Sequence, residues 1–325
     1  MLPVHRSPTF LAGLALATGL ALTQQTFAAD APKADLVASN QLRVCTDPSD
    51  LPFSNEKAEG FENKVADIIS DELKLPVAYT YFPKAMGFTR MTLFAKKCDL
   101  IIGWGQGDDL VLNSNHFYRS TSVLIYKAGT GLDGVDTLSD PRLKDKKVGE
   151  IAKAPSSDHV AKNGLMTKAK HYRLMVDRRF ESPHEEMMKD IRSGEIDAAV
   201  GWGPAAGYFA TRGGDKLVVV PLLKEKGSPR LDYRITMGVR QGDDAFKRKI
   251  NEVIAKRQGD IDKVMLEYGV PLLVDDDTSM EQIKEPRKNG AVYGGAADNK
   301  AAAAPAPAPA PAAPKAAAPA PAATP

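Results

Sequence analysis

The sequence predicts an α/β protein made of two similar lobes in tandem, each a mostly parallel sheet covered by helices. Apolar strand patterns alternate with amphipathic helix patterns from residue 42, and the same alternation starts again near residue 146. A Gly-Trp-Gly triplet follows an apolar strand in each half, at 103–105 and 201–203, and these triplets hold the only two tryptophans of the chain, Trp104 and Trp202. The repeated setting indicates equivalent turns in two related lobes.

The first half of the chain contains four predicted strands and two predicted helices, in the order strand–helix–strand–helix–strand–strand. Its first helix has Phe61, Val65, Ile69 and Leu73 on one face at helical spacing,. The predicted elements are LRVC (42–45), FENKVADIISDELKL (61–75), LPVAYTYFP (75–83), GFTRMTLFAKK (87–97), CDLIIG (98–103) and SVLIYKAG (122–129).

The second half repeats this order and then adds a late strand and two helices. The predicted elements are KKVGEI (146–151), PSSDHVAKNGL (155–165), KHYRLMV (170–176), SPHEEMMKDIRSG (182–194), EIDAAVG (195–201), PAAGYFATRGG (204–214), KLVVVPL (216–222), LDYRITMGVRQ (231–241), DDAFKRKINEVIAKRQG (243–259) and DIDKVMLEYG (260–269). Strands separated by helices in this way favour parallel pairing.

The two ends of the chain are predicted to lie outside the globular part. Residues 1–28 have a charged start, a short apolar run and small residues before the expected cleavage, as in a secretory signal peptide,. The apolar run is shorter than the roughly twenty residues of a membrane span, so a membrane-embedded protein is not expected. Residues 276–325 are predicted to be a disordered tail that is rich in Ala and Pro from residue 301,.

Composition excludes several functions. The net charge of +2 and the absence of a basic stripe argue against nucleic-acid binding,. The histidines are scattered without the spacing of metal ligands, and His184 is expected to be solvated in the first turn of a helix,. The acidic run 275–277 lacks the glycine of a calcium loop,. No catalytic set stands out, so we predict neither an enzyme nor a bound cofactor or metal.

Cys45 and Cys98 are the only cysteines, and the sequence leaves their pairing open. An exported protein with two cysteines often joins them in a disulfide. However, Cys45 ends one predicted strand and Cys98 begins another. If these strands are parallel neighbours, the two cysteines lie at opposite strand ends. Their Cα atoms would then be farther apart than the roughly 7 Å that a disulfide can span.

Both Gly-Trp-Gly triplets lie just beyond the carboxyl end of a predicted central strand, where open α/β sheets bind ligands,. We therefore expect Trp104 and Trp202 to face a cleft between the lobes, although each indole would serve equally as an anchor in its lobe core. Ser156, at a helix start, would either bind an anion through free N–H groups or simply cap the helix.

The segment 42–73 resembles the opening of type II periplasmic solute-binding proteins, in which a strand leads to Pro-Phe and then to a Gly-Phe-acidic triplet. Here these are Pro52-Phe53 and Gly60-Phe61-Glu62. The resemblance covers roughly residues 41–272. It implies a two-lobed fold with a cleft, with lobe 1 at 41–126 and 232–272 and lobe 2 at 130–225.

A narrower resemblance is to the methanol-oxidation J proteins, the MxaJ/XoxJ group. It rests on the following segments, which agree with that group in order and spacing: RVCTDPSDLPFSNEKAEGFENKVA, GFTRMTL, CDLIIG, FYRSTSVLIY and WGPAAGYFA. This resemblance implies a periplasmic protein associated with a pyrroloquinoline-quinone (PQQ) methanol dehydrogenase, whose metal ion belongs to that enzyme. It does not indicate whether the role is maturation, activation or delivery of a small molecule.

Amino acid receptors of this superfamily clamp the ligand carboxylate with an arginine in a Thr-x-x-Arg element after the third strand. This chain has no arginine there and instead carries Asp108, while Arg90 and Arg119 would supply positive charge to the cleft or lie on the surface. The predicted cleft or partner-binding residues are Asp47, Phe53, Glu62, Arg90, Trp104, Asp108, Arg119, Ser156 and Trp202.

Three functions are compatible with these residues. The first is an accessory protein that docks on or matures methanol dehydrogenase, with a small molecule in the cleft as a further option. The second is a transport receptor for a small polar solute. The third is a dehydratase-like enzyme that uses a cleft carboxylate such as Glu62 or Asp108. Nearby dehydrogenase and cytochrome genes would favour the first function, and permease and ATPase genes the second.

Overall fold

The computed structural model describes residues 36, 38–215, 217–274 and 280–290. The predicted signal peptide at 1–28 and the Ala/Pro-rich segment from residue 301 lie outside the described residues. Within these ranges no helix combines the length and the apolar character needed to cross a bilayer.

Lobe 1 contains a mostly parallel sheet in the order β4-β1-β5, extended by the antiparallel strand β12. Its elements are β1 Leu42–Thr46, β2 Ser49–Asp50, β3 Ser54–Asn55, α1 Phe61–Leu73, β4 Val77–Tyr81, α2 Phe88–Met91, β5 Leu100–Gly105, β6 Leu112–Asn113, β12 Asp232–Val239, α6 Asp244–Glu267, β13 Leu272–Leu273 and β14 Gln282–Ile283.

Lobe 2 repeats the pattern with the parallel strands β10-β8-β9. Its elements are β8 Val148–Ile151, α3 Pro155–Lys162, β9 Lys170–Tyr172, α4 Pro183–Ser193, β10 Ala198–Trp202, α5 Gly203–Ala210 and β11 Leu217–Pro221. The long strand β7 Tyr118–Lys127 belongs to both lobes.

β7 crosses between the lobes at a definite point. Its first part, up to Thr121, pairs with β12, and its second part, from Ser122, pairs with β10 and β11. The predicted end of lobe 1 at residue 126 is therefore too late, because residues 122–127 belong to the sheet of lobe 2. The returning crossing comes at Leu231 and Asp232, where the carbonyl of Leu231 accepts hydrogen bonds from Ser122 and Thr121.

Apolar side chains form separate cores on the two faces of each sheet. In lobe 1 the larger core lies under α1 and α6 and includes Phe61, Ile69, Ile250 and Ile261. Lobe 2 has one core on each face of its sheet. The amphipathic spacing of α1 therefore gives the burial that the sequence predicts.

Two predicted elements are shorter in the structure. The strand expected at 170–176 ends at Tyr172, and the helix expected at 87–97 shortens to Phe88–Met91. The two predicted C-terminal helices are both present within α6, separated by a kink at Arg257, whose backbone angles are φ −110° and ψ 18°, close to the predicted break at residue 259.

The predicted disordered tail begins too early. Residues 282–283 pair with β13, and the side chain of Asn289 accepts a hydrogen bond of 2.8 Å from the backbone of Gly259. Arg287 forms an ion pair with the fully buried Asp262 of α6. These contacts attach residues 280–290 to lobe 1.

The two cysteines form a disulfide between Cys45 of β1 and Cys98, with Cα atoms 5.5 Å apart. The strands are parallel neighbours, as the sequence argument assumed, but Cys98 lies ahead of β5 rather than in it. The backbone N–H of Asp99 donates to the carbonyl of Arg43, which brings this segment alongside β1. The pair belongs to a small core with Phe88 and Leu93.

We predict that replacing both cysteines by serine lowers the free energy of unfolding by roughly 2–4 kcal/mol, because the crosslink closes a loop with a sequence separation of 53 residues,. Urea unfolding of the oxidised protein and the double variant measures this difference. The wild type should lose the same stability in reductant, and the variant should be insensitive to it. Equal stability of the oxidised and reduced wild type would contradict the disulfide.

Candidate functional site

A cavity of about 810 Å³ lies between the two lobes. Lobe 1 contributes the loop 48–57, the start of α1, Lys84 and the ends of β5 and β12, while lobe 2 contributes the start of α3, the loop 174–178, the start of α4 and the end of β10. The site thus occupies the position where the carboxyl ends of strands from both lobes meet, as expected for open α/β sheets.

Glu62 and Lys84 form a buried ion pair at the lobe 1 side of this cavity. Lys84 Nζ donates to both carboxylate oxygens of Glu62, at 3.0 and 2.7 Å, and to the carbonyl of Ile102 at 3.2 Å. All three ammonium hydrogens therefore have acceptors within the protein. Burial raises the pKa of Glu62 to about 7, even though Lys84 favours the carboxylate form,.

The first glycine of the first Gly-Trp-Gly triplet leaves room for this pair. Gly103 has φ +77°, and a Cβ atom there would lie 2.0 Å from Oε1 of Glu62. In lobe 2 the equivalent Gly201 lies against His184, whose Cδ2 would be 3.1 Å from an added Cβ. In each triplet, the first glycine therefore leaves room for a titratable side chain that comes from the first turn of a helix and lines the cavity.

His184 is half-buried at the cavity, whereas the sequence suggested a solvated side chain. It lines the cavity in the first turn of α4, and its Nε2 atom is buried with no hydrogen-bond partner in the described part of the chain. Burial, followed by the charge of Arg178, lowers the pKa of His184 to about 4. The imidazole is therefore neutral at neutral pH.

A second ion pair joins the lobes directly across the cavity. Arg178, in the loop after β9, contacts the carboxylate of Asp50 in β2. Burial raises the pKa of Asp50, although the neighbouring Arg178 and Lys84 oppose that shift. We call this contact the inter-lobe ion pair. It links the two lobes directly, because its two members belong to different lobes.

Aromatic rings cover much of the remaining wall. Trp202 meets Tyr233 edge to face, with ring centroids 5.7 Å apart, and the two side chains come from different lobes. Phe53 packs against Phe61 of α1 at 5.1 Å in the same manner, and Tyr118 of β7 completes the aromatic surface. The site is therefore mainly apolar, and four of its charged groups form the two ion pairs Glu62–Lys84 and Asp50–Arg178.

The structure places four of the predicted site residues on the cavity wall. These are Phe53, Glu62, Ser156 and Trp202. Ser156 is in the first turn of α3 but does not cap it, because the cap position is Ala154 and Pro155 begins the helix. Five other predicted residues lie elsewhere.

Trp104 differs most from its predicted position, because it packs against the core around the disulfide and not against the cavity. Its indole Nε1 is buried without a hydrogen-bond partner among the described residues. Thr236 of β12 donates to the carbonyl of Trp104 at 3.0 Å, so β12 holds this residue by its backbone. Trp104 therefore serves as an anchor in the core of its own lobe, whereas Trp202 faces the cleft as predicted.

The other predicted charged residues have structural contacts. Arg119 is buried in an ion pair with Asp232, at 2.7 Å, beneath the crossing strands. Asp47 accepts hydrogen bonds from the backbone N–H groups of Ser49 and Lys84, at 2.8 and 2.6 Å. Asp108 accepts from the N–H of Leu110 at 3.0 Å in a surface turn.

Arg90 is exposed on α2 and does not line the cavity. Among the cavity residues that sequence reasoning missed are Asp50, Lys84, Arg178 and His184. Asp50 lies in the two-residue strand β2, and Lys84 and Arg178 lie in loops, where no periodic pattern indicates which residues meet across the cleft. The glycine at position 201 was a signal for His184, since a glycine at a strand end allows close approach of a neighbouring side chain,.

Comparisons with known proteins agree with this geometry. The crystal structure of the periplasmic binding protein XoxJ from Methylobacterium extorquens AM1 shares 40% identity with a TM-score of 0.62, covering 72% of this chain and 99% of that chain. MxaJ from Methlophaga aminisulfidivorans MPT shares 25% identity with a TM-score of 0.62, covering 72% and 100%. The protein MoxJ of Methylorubrum extorquens is 26% identical over 261 residues, 76% of this chain and 85% of its own length. No family model matches the chain.

Two lobes that share crossing strands and enclose a cleft define a type II periplasmic-binding-protein fold. Within this superfamily, the chain belongs to the MxaJ/XoxJ family.

We predict that Glu62 titrates near neutral pH. A carboxyl group whose pKa is raised on folding stabilises the folded state at pH values below its pKa in the unfolded chain. This stability is lost as the pH rises through its pKa in the folded protein. With a shift from 4.5 to about 7, the Glu62 contribution to the free energy of unfolding falls by about 3 kcal/mol over this interval,. The raised pKa of Asp50 acts in the same direction.

The lowered pKa of His184 acts in the opposite direction, because stability then rises as the pH increases from about 4 to 6.5,. The measurement is therefore the difference between the wild type and Glu62→Gln in urea unfolding from pH 4.5 to 8. Glu185→Gln, at the opposite wall, is the matched control and should follow the wild type. Parallel stability curves for the wild type and Glu62→Gln would contradict the raised pKa.

Proposed function

We propose that this protein is a periplasmic accessory protein of a PQQ-dependent methanol dehydrogenase, and that it docks on the enzyme or assists its maturation. Its membership of the MxaJ/XoxJ family supports a role associated with methanol oxidation. The observation that separates this role from transport is the charge pairing in the cleft. Lys84 and Arg178 are both held by carboxylates of the chain itself.

This pairing matters because an amino acid receptor needs a cation that is available to the ligand carboxylate. Here Lys84 already donates to Glu62 and to a backbone carbonyl, and Arg178 already contacts Asp50. A carboxylate ligand would have to displace one of these buried partners and leave it without its charge, which is costly. The site therefore disfavours the zwitterions that related receptors bind.

A transport receptor for another small solute is the second candidate, because a cavity of about 810 Å³ has the size of ordinary ligand sites,. Its aromatic wall and neutral imidazole favour an uncharged and largely apolar molecule. An enzyme is a remote alternative. The pKa of Glu62 suits a general acid or base, but both of its oxygens are held by Lys84,.

The proposed function predicts stable association with a quinoprotein dehydrogenase. Affinity-tagged protein isolated from the periplasm of the source organism at low salt should carry a dehydrogenase that contains bound PQQ. A tagged amino-acid-binding protein of the same fold, treated identically, should not. The absence of any quinoprotein from the eluate, with cofactor and metal supplied during growth, would refute the proposal.

Amino acids are expected to bind negligibly. In a thermal-shift screen at millimolar concentration, each common amino acid should change the melting temperature by less than about 1 °C, because stabilisation grows only with the logarithm of ligand concentration over Kd. An amino acid receptor of this fold serves as the positive control. Stabilisation by several degrees with any of these ligands would support the transport alternative instead.

A further inference from the structure

We propose that the loops 83–91 and 173–181 together form one docking surface, apolar at its centre and lined by arginines, that binds an acidic-rimmed apolar surface on the dehydrogenase. We call it the bridging face. Its apolar members are Met86, Leu174, Met175 and Phe180, and its arginines are Arg90, Arg173 and Arg179. This inference rests on the proposed function and assigns the surface through which it operates.

The bridging face exposes apolar side chains to an unusual degree. Met86 is 92% exposed, Phe180 is 80% exposed and Met175 is 70% exposed, and Leu174 is also exposed. Single exposed apolar residues are common on soluble proteins, but several within two short loops indicate an interaction site. Methionine, phenylalanine and arginine are also the residue types enriched in protein interfaces.

The two loops come from different lobes and meet in space. They line a second cavity of about 430 Å³, to which Pro83, Lys84 and Ala85 contribute from lobe 1 and Leu174, Met175 and Val176 from lobe 2. The inter-lobe ion pair lies beside it, because Arg178 also lines this cavity. The apolar residues of the bridging face therefore lie on both sides of the lobe boundary.

The charges at the rim indicate the chemistry of the partner. Arg90, Arg173 and Arg179 are exposed, and only the last two have carboxylate partners, in Glu181 and Asp177. Within the described ranges Arg90 forms no ion pair. Arg179 also lies over the ring of Phe180, 5.4 Å from its centroid, which places a guanidinium beside the most exposed ring. Three exposed arginines therefore stand against the two carboxylates Asp177 and Glu181, and this excess of positive charge complements acidic side chains,.

A second copy of this chain fits the bridging face less well. A symmetric dimer would place the same surface patch on itself, so both sides of the interface would carry the same excess of positive charge. Like charges that meet at an interface disfavour association. An acidic-rimmed surface on a different protein avoids this repulsion and still buries the apolar centre.

Docking at the bridging face is coupled to the state of the cleft. Its two loops belong to different lobes, and the inter-lobe ion pair links the loop of Arg178 to lobe 1. A partner that contacts both loops therefore favours the arrangement of the lobes that brings the loops together.

The test compares two double variants of the full-length protein in binding to purified PQQ methanol dehydrogenase. Met175→Glu with Phe180→Glu removes the apolar centre and adds charges that repel an acidic partner. Met175→Lys with Phe180→Lys removes the same apolar area but keeps the attraction. We expect Kd to rise at least about tenfold with the glutamates and clearly less with the lysines. Wild-type binding should weaken as the salt concentration rises.

Leu110→Glu is the matched control, because Leu110 is 52% exposed and lines neither cavity. This variant should change the Kd for the dehydrogenase by less than about twofold. All these positions are exposed, so folding should persist and circular dichroism checks it. Unchanged binding by both double variants would overturn the bridging face while leaving the proposed function intact. Failure of the wild type to bind dehydrogenase would overturn both.

Equal losses in the two double variants would overturn the acidic character of the partner. Two further measurements identify other occupants. A dimer of the wild type in sedimentation that the glutamate variant abolishes would assign the face to a second copy. Binding to vesicles with anionic lipids that the same variant abolishes, with dehydrogenase binding unchanged, would assign it to a membrane surface. Either result contradicts the proposal.

Discussion

The architecture depends on the two crossings between the lobes, because β7 is a single strand that supplies both sheets. At the crossing, Arg119 of β7 and Asp232 of β12 form an ion pair that is almost completely buried, and Arg230 contacts the same carboxylate. Burial alone would raise the pKa of Asp232, but hydrogen bonds from Arg230 and Arg119 hold it below its usual value. A buried charge of this kind requires its partner, so the pair fixes the strands beside each other. The position of the cavity follows, since Tyr118, Ser122 and Tyr233 on these strands line it.

The cleft combines a periplasmic-binding-protein fold with charges that are paired inside the protein. Lys84 and Arg178, the cations at its centre, both bind carboxylates of the protein itself. Glu62 and Lys84 neutralise each other within lobe 1, and Asp50 and Arg178 do so between the lobes. The contact between the two lobes is therefore made by side chains of the protein itself.

The inter-lobe ion pair also connects the cleft with the outer surface. Arg178 lies in the same loop as Met175 and Phe180, so its contact with Asp50 positions exposed apolar side chains next to those of lobe 1. If a partner binds this surface as proposed, its binding would be linked to any ligand binding in the cleft, because both would act on the same contact between the lobes.

The sequence by itself determined the α/β class, the two lobes and most strands, because the alternation of apolar patterns reflects which faces are buried. The Pro-Phe and Gly-Phe-Glu motifs also located Phe53 and Glu62, and the second Gly-Trp-Gly triplet located Trp202. Only the tertiary structure decided that Trp104 packs in its own lobe, that Cys98 lies within reach of Cys45, and that residues 280–290 pack on lobe 1. It also decided which loop cations reach which carboxylates. These outcomes depend on register, loop conformation and long-range contacts, and local periodicity carries no information about them.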